Sequence, residues 1–111
     1  MNDVYVIGSY STQFKKWRDK SIKDLTKMAY TGVLDDCKID INDIGSTAFS
    51  NCGWGHTLLP SGDDPGMRGQ MNVRGQVALA PLVSEGIFPK RVPIINVEGA
   101  CASGSLAFYS A

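Results

Sequence analysis

The residues best placed to do chemistry sit in one run, Ile94-Ile95-Asn96-Val97-Glu98-Gly99-Ala100-Cys101-Ala102-Ser103-Gly104-Ser105-Leu106-Ala107-Phe108. An apolar, strand-like stretch passes into a cysteine set among glycines and small residues, and a helix-like stretch begins there. Gly99 and Gly104 let the backbone turn sharply and approach a ligand closely. The pattern resembles a G-x-S-x-G elbow, with cysteine as nucleophile and the second glycine displaced by one position. A thiol at a helix N-terminus lies beside unpaired N–H groups and the positive end of the helix dipole, which favour an anion. The thiolate is the reactive form of cysteine. The same N–H groups can hold the oxyanion that develops on a thioester carbonyl. The competing reading makes Cys101 a small buried hydrophobe. Spacing does not separate the two.

Other chemistry-bearing residues are sparser. His56 is the single histidine, and with Cys52 it forms C-x-x-x-H. A metal site needs three or four ligands and no further cluster is visible, so no metal is expected. A Cys101–His56 dyad of the cysteine-hydrolase kind is an alternative, because a long loop can carry His56 to the thiol. Lys15, Lys16, Arg18, Lys20, Lys23 and Lys27 are interleaved with Phe14 and Trp17 and could meet phosphates. The balanced charge favours a solvated face instead. Arg68 and Arg74, read as part of a glycine-rich loop, could line a site or a subunit contact. Cys37 falls on an apolar helix stripe and reads as core filler.

The elements that must position Cys101 follow from periodicity. Val4-Tyr5-Val6-Ile7, closed by Gly8, reads as a buried strand. Ser21 caps a helix, with Asp24 as the acid of a capping box. Ile22, Leu25, Ala29, Val33 and Cys37 recur at helical spacing, and that helix ends near Cys37 or Lys38. Ile44 to Ser50 reads as a second strand, weakened by Gly45. Asn51 to Gln76 is glycine-rich and irregular, and loops of such length are usually functional. Val77 to Glu85 reads as a helix stopped by Gly86, with Pro81 tolerable only in a first turn. Val92 to Val97 is the third strand, with Pro93 at its start or at a sheet edge. From Cys101 a third helix begins. It carries no charge as far as Ala111, so it is expected to be buried on all sides by a layer outside these residues.

Strand and helix alternate, which predicts an α/β fold with a mainly parallel sheet and helices on both faces. Ligands on such sheets bind beyond the carboxyl ends of the strands, where Cys101 falls. The bulk numbers agree with one small globular unit spanning 1–111: 111 residues, 43% hydrophobic and 20% charged. Eleven basic residues balance eleven acidic ones, so nucleic acid is not an expected partner. No run is long and apolar enough for a membrane span. Three scattered cysteines suit a reducing compartment. The expected location is therefore cytoplasmic, with a peroxisomal address possible at a C-terminus.

The segment Val97 to Ala107 resembles the nucleophile segment of thiolases, closest to the sterol-carrier-protein-type and acetyl-CoA acetyltransferase-like members, in which a C-A-S-G-S-type run follows acidic or amide residues. Val4 to Gly8, Phe14-Lys15, Ser21 and Asp24-Leu25 look like the family's opening strand, phenylalanine-containing turn and first helix. Gly75-Gln76, Gly86 and Val92-Pro93 look like the approach to the nucleophile strand. The resemblance runs over nearly the whole chain but covers only the first portion of a family member. It implies the N-terminal part of a layered αβαβα fold, cut within the nucleophile helix.

The resemblance also implies the chemistry. Cys101 would take the acyl group of an acyl-CoA or acetyl-CoA substrate as a thioester, and its backbone N–H would form half of an oxyanion hole. Carbon–carbon bond formation, or thiolytic cleavage of a 3-oxoacyl-CoA, would follow in the full enzyme. A later histidine and a second, later cysteine complete the family's machinery, so these residues alone are expected to be inactive. Coenzyme A enters as substrate, with no permanently bound cofactor. A homodimer or homotetramer with meeting edge strands is implied. The rivals are a condensing enzyme of the 3-oxoacyl-carrier-protein synthase type and a non-catalytic partner subunit that binds acyl-CoA or lipid.

Overall fold

Ser21 and Asp24 cap the first helix from both directions. The Asp24 N–H donates to Ser21 Oγ at 3.2 Å, and the Ser21 N–H donates to Asp24 Oδ2 at 2.8 Å. This complete capping box opens helix α1, Ile22–Cys37, in the computed structural model, which describes residues 2–51 and 73–111. The helix closes on Lys38 in the left-handed region (φ 56°), whose N–H donates to the Leu34 carbonyl.

The remaining elements follow in the expected alternation. Strand β1 is Thr47–Ser50, helix α2 is Arg74–Ser84, strand β2 is Ile94–Val97 and helix α3 is Ser103–Ser110. Strands β1 and β2 pair in parallel, with Thr47 opposite Ile94 and Ser50 opposite Val97. Pro93 stands just before β2, where its missing N–H costs no ladder bond, and its carbonyl accepts from the Thr47 N–H at 2.9 Å. Helix α2 lies over Phe49, Ile94 and Asn96 of the two strands. Helix α3 packs on both strands with little contact to α2, so it covers the other face.

The core is where α2 meets the sheet and α1. Leu79, Leu82 and Phe88 form one buried cluster, with Tyr30, Val92 and Ile94 against it. Ala78 is packed by Ile22, Phe49 and Val77. Burying a leucine or phenylalanine side chain stabilises by about 1.5–3 kcal/mol, so this cluster is what fixes α2 over the strands. Tyr30 adds direction: its hydroxyl donates to the Ile87 carbonyl at 2.7 Å, and its ring tilts against Phe88 with centroids 5.4 Å apart.

Three expectations need correction. Val4–Ile7 is not a strand. It is extended coil, 65 to 94% exposed. Strand structure requires a hydrogen-bonded neighbour, and neither β1 nor β2 pairs with this segment. The chain docks only from Gly8 onward. A Cβ there would meet Cys37 Cβ at 2.6 Å, and the Ser9 N–H donates to Asp36 Oδ2 at 2.8 Å. The helix expected from Val77 begins instead at Arg74, which makes Arg74 a helical residue rather than a loop residue. Pro81 consequently sits inside α2 and not in its first turn. The helix survives, closed by Gly86 at φ 77° with paired bonds from Gly86 to Val83 and from Ile87 to Leu82. Helix α3 is uncharged, and the layer expected to enclose it lies outside these residues. Among the described residues only its face toward the strands is covered, and Phe108 and Tyr109 are exposed.

Candidate active site

Beyond Val97 the chain makes a tight turn before α3. Ala100–Ala102 form one turn of 3-10 helix that leads directly into α3. Cys101 is in that turn, is exposed, and stands off the carboxyl end of β2. Among the described residues nothing packs Cys101 as a small hydrophobe, whereas Cys37 is partly buried on α1 as expected of core filler. The Cys101 N–H lies in this turn, whose next two donors are taken: the Ala102 N–H donates to the Gly99 carbonyl at 2.9 Å and the Ser103 N–H to the Ala100 carbonyl.

The backbone before Cys101 is unusual. Ala100 has φ 49°, a conformation that costs a non-glycine residue about 1–2 kcal/mol and persists only where neighbours enforce it. Ser103 supplies part of that enforcement. Its side chain is buried, with the residue 5% exposed. Ser103 Oγ accepts from the Gly99 N–H at 3.0 Å and donates to the Ala100 carbonyl at 2.7 Å. Gly99 permits close packing, since a Cβ there would lie 2.3 Å from Leu106 Cδ1. The turn is thus a built feature: Gly99 and Ala100 before the thiol are held by Ser103 after it.

A second set of groups fixes the strand ends around it. Arg74, 7% exposed, directs Nη1 to the carbonyl of Asn51, just past β1, and to Oε2 of Glu98, just past β2, the latter at 3.2 Å. Its Nε is buried and has no partner among the described residues. Asn96 accepts from the Gly75 N–H at 2.6 Å and donates to Gln76 Oε1 at 2.7 Å, which pins the start of α2 onto β2. Sequence reading missed the roles of Arg74, Asn96 and Ser103. Arg74 carried one signal, a lone arginine opening a run otherwise free of charge until Glu85. Asn96 carried another, a polar residue inside an apolar strand.

Cys52, His56, Arg68 and most of the glycine-rich stretch lie outside the described residues, and with them the dyad and metal alternatives. The basic run near the first helix is solvent-facing at Lys15, Lys16, Arg18, Lys20 and Lys27. Lys15 stacks over the Trp17 ring at 3.8 Å, and Lys27 pairs with Glu85 at 2.5 Å. Among the described residues no helix is long and apolar enough to cross a membrane.

An α/β layer with a cysteine turn off a strand end is the class that the geometry defines. No family model matches the chain, and no solved structure matches it. Among curated proteins it matches archaeal ones, of which two follow. The chain is 30% identical over 111 residues to a protein named acetyl-CoA acetyltransferase from Methanocaldococcus jannaschii, covering 100% of this chain and 24% of that protein. It is 27% identical over 110 residues to a protein of the same name from Methanothermobacter thermautotrophicus, covering 99% of this chain and 24% of that one. The chain spans about a quarter of the length of these relatives. Both likenesses support a relationship at the family level.

Proposed function

We propose that the protein carrying this chain is a thiolase-like acyltransferase in which Cys101 accepts an acyl group from an acyl-CoA. The observation that carries the reading is the exposed Cys101 thiol on a strained turn at the carboxyl end of β2. In the proposed step the Cys101 thiolate attacks the thioester carbonyl, the C–S bond to coenzyme A breaks, and coenzyme A leaves as the thiolate, which takes a proton from solvent. The Cys101 N–H, at the start of the turn into α3, is one donor to the oxyanion of the tetrahedral intermediate. The names of the two archaeal relatives favour acetyl-CoA as donor. Carbon–carbon bond formation or thiolytic cleavage, and assembly as a homodimer or homotetramer, belong to the same reading.

The test is mass spectrometry of the full natural chain after incubation with acetyl-CoA. An acetyl group mapped to Cys101 and absent from Cys101→Ala supports the reading. An unmodified Cys101, or an adduct at Cys37 instead, would sink it and favour a non-catalytic acyl-CoA-binding subunit.

A further inference from the structure

We propose that Arg74 is a positioning residue for Cys101, acting through Glu98 and the carbonyl of Asn51. The inference rests on the reading of Cys101 as nucleophile and adds a residue to it.

A guanidinium as buried as that of Arg74 is costly to desolvate, and arginine is rarely buried unless paired. Its Nη1 meets one acceptor past the end of each parallel strand, Asn51 after β1 and Glu98 after β2. One cation therefore ties the two carboxyl strand ends together at the edge where Cys101 stands. The tie does not satisfy the arginine fully, because Nε stays buried without a partner among the described residues. A side chain selected for stability alone would be better served by an apolar residue of the same length.

The consequence for the turn is direct. Glu98 is held by Arg74, Gly99 N–H and the Ala100 carbonyl are held by Ser103, and Cys101 follows. The left-handed Ala100 is thus fixed from the strand side by Arg74 and from the helix side by Ser103. Releasing Glu98 frees one anchor, and Ala100 can relax toward an ordinary conformation, shifting the thiol from its place at the end of β2.

Electrostatics and positioning make opposite predictions at Glu98 and the same one at Arg74. Removing the Arg74 cation alone would make an anionic thiolate harder to form, and removing the Glu98 anion would make it easier. Positioning requires both removals to slow Cys101. The experiment is alkylation by iodoacetamide in the full natural chain, with Cys101 and Cys37 followed separately by peptide mass spectrometry. Glu98→Gln and Arg74→Met are each expected to slow Cys101 about tenfold, with the double variant no slower than the worse single one. Cys37 should keep its rate. Opposite signs for the two variants, multiplying effects, or equal slowing at Cys37 would overturn the proposal. Should Arg74→Met not fold, Glu98→Gln decides alone, since Glu98 is half-exposed and the change keeps its shape. An unchanged or faster Cys101 there overturns the clamp. Acetylation by acetyl-CoA on the same proteins separates the two claims. A parent chain that takes no acetyl group but shows the alkylation pattern loses the acyl-transfer reading and keeps the clamp.

Discussion

The backbone N–H of Gly75 donates to Asn96 Oδ1 at 2.6 Å, so the first turn of α2 is capped by a side chain of β2 rather than by one of its own. The contact needs a residue without a side chain. A Cβ on Gly75 would lie 2.6 Å from Ile94 Cγ2, 2.7 Å from Phe49 Cβ and 3.0 Å from Asn96 Oδ1. Alanine is the better helix former by about 1 kcal/mol. Overpacking costs about 1–3 kcal/mol, and here it strikes from three sides, so Gly75→Ala is expected to destabilise. Gly99→Ala is the control. Its Cβ would clash only with the terminal methyl of Leu106, a partly exposed side chain that can rotate aside, so the loss should be about 0.5 kcal/mol. Urea midpoints of the two variants check the order. A costlier Gly99→Ala would contradict it.

Ser103 joins two groups of the cysteine turn through one hydroxyl. Ser103→Ala removes the bond from the Gly99 N–H and one of the two bonds to the Ala100 carbonyl, each worth about 0.5–1.5 kcal/mol net. The expected result is a lower urea midpoint together with slower iodoacetamide alkylation of Cys101. Ser105→Ala, two residues on and exposed, should change neither. Equal effects from both substitutions would remove Ser103 from the account of the turn.

What the sequence could show tracks how local each cause is. The Ser21–Asp24 box, the end of α1 and the Gly86 stop are set by residues a few positions apart, and each was legible. The cysteine turn was legible for the same reason: strand, glycine, cysteine and small residues are contiguous. The start of α2 was not, because its cap comes from Asn96, 21 residues away. Arg74 was hidden likewise, its acceptors standing 23 and 24 residues distant. Val4–Ile7 has the composition of a strand, but composition does not provide a partner.

The capping box makes an acid-limb prediction. Asp24 titrates below the ordinary aspartate value, held there first by the Ser21 N–H, then by the Ser21 hydroxyl, with Lys20 and Lys27 assisting. A depressed carboxylate contributes stability that is present above its unfolded pKa of about 3.9 and is lost as pH falls through the lower folded value. Ser21→Ala should cost about 1 kcal/mol at neutral pH and somewhat less at low pH, because, of the bonds it removes, only that from the Ser21 hydroxyl to Asp24 Oδ2 depends on the carboxylate. Asp24 is exposed, so solvent screening keeps the acid-dependent part small. Thermal midpoints of parent and variant should draw slightly closer from neutral pH to below the aspartate range. Parallel curves would show that the box does not titrate with folding.

Tyr30 makes the complementary alkaline prediction. Burial pushes its phenol above the ordinary tyrosine value of about 10. A raised acid is neutral in the folded chain where the unfolded chain has already ionised. Its stabilising contribution is complete below about pH 10 and is lost as pH rises through the folded value. The hydroxyl also donates to the Ile87 carbonyl, a bond worth about 1 kcal/mol. Tyr30→Phe should lower stability by about that amount at neutral pH while keeping the ring against Phe88. Above about pH 10 the variant should decline less steeply than the parent, because it has no phenol to ionise. Denaturant titrations on either side of that pH measure both effects. A parent and variant that fall together at alkaline pH would mean that Tyr30 ionises as freely in the folded chain as in the unfolded one.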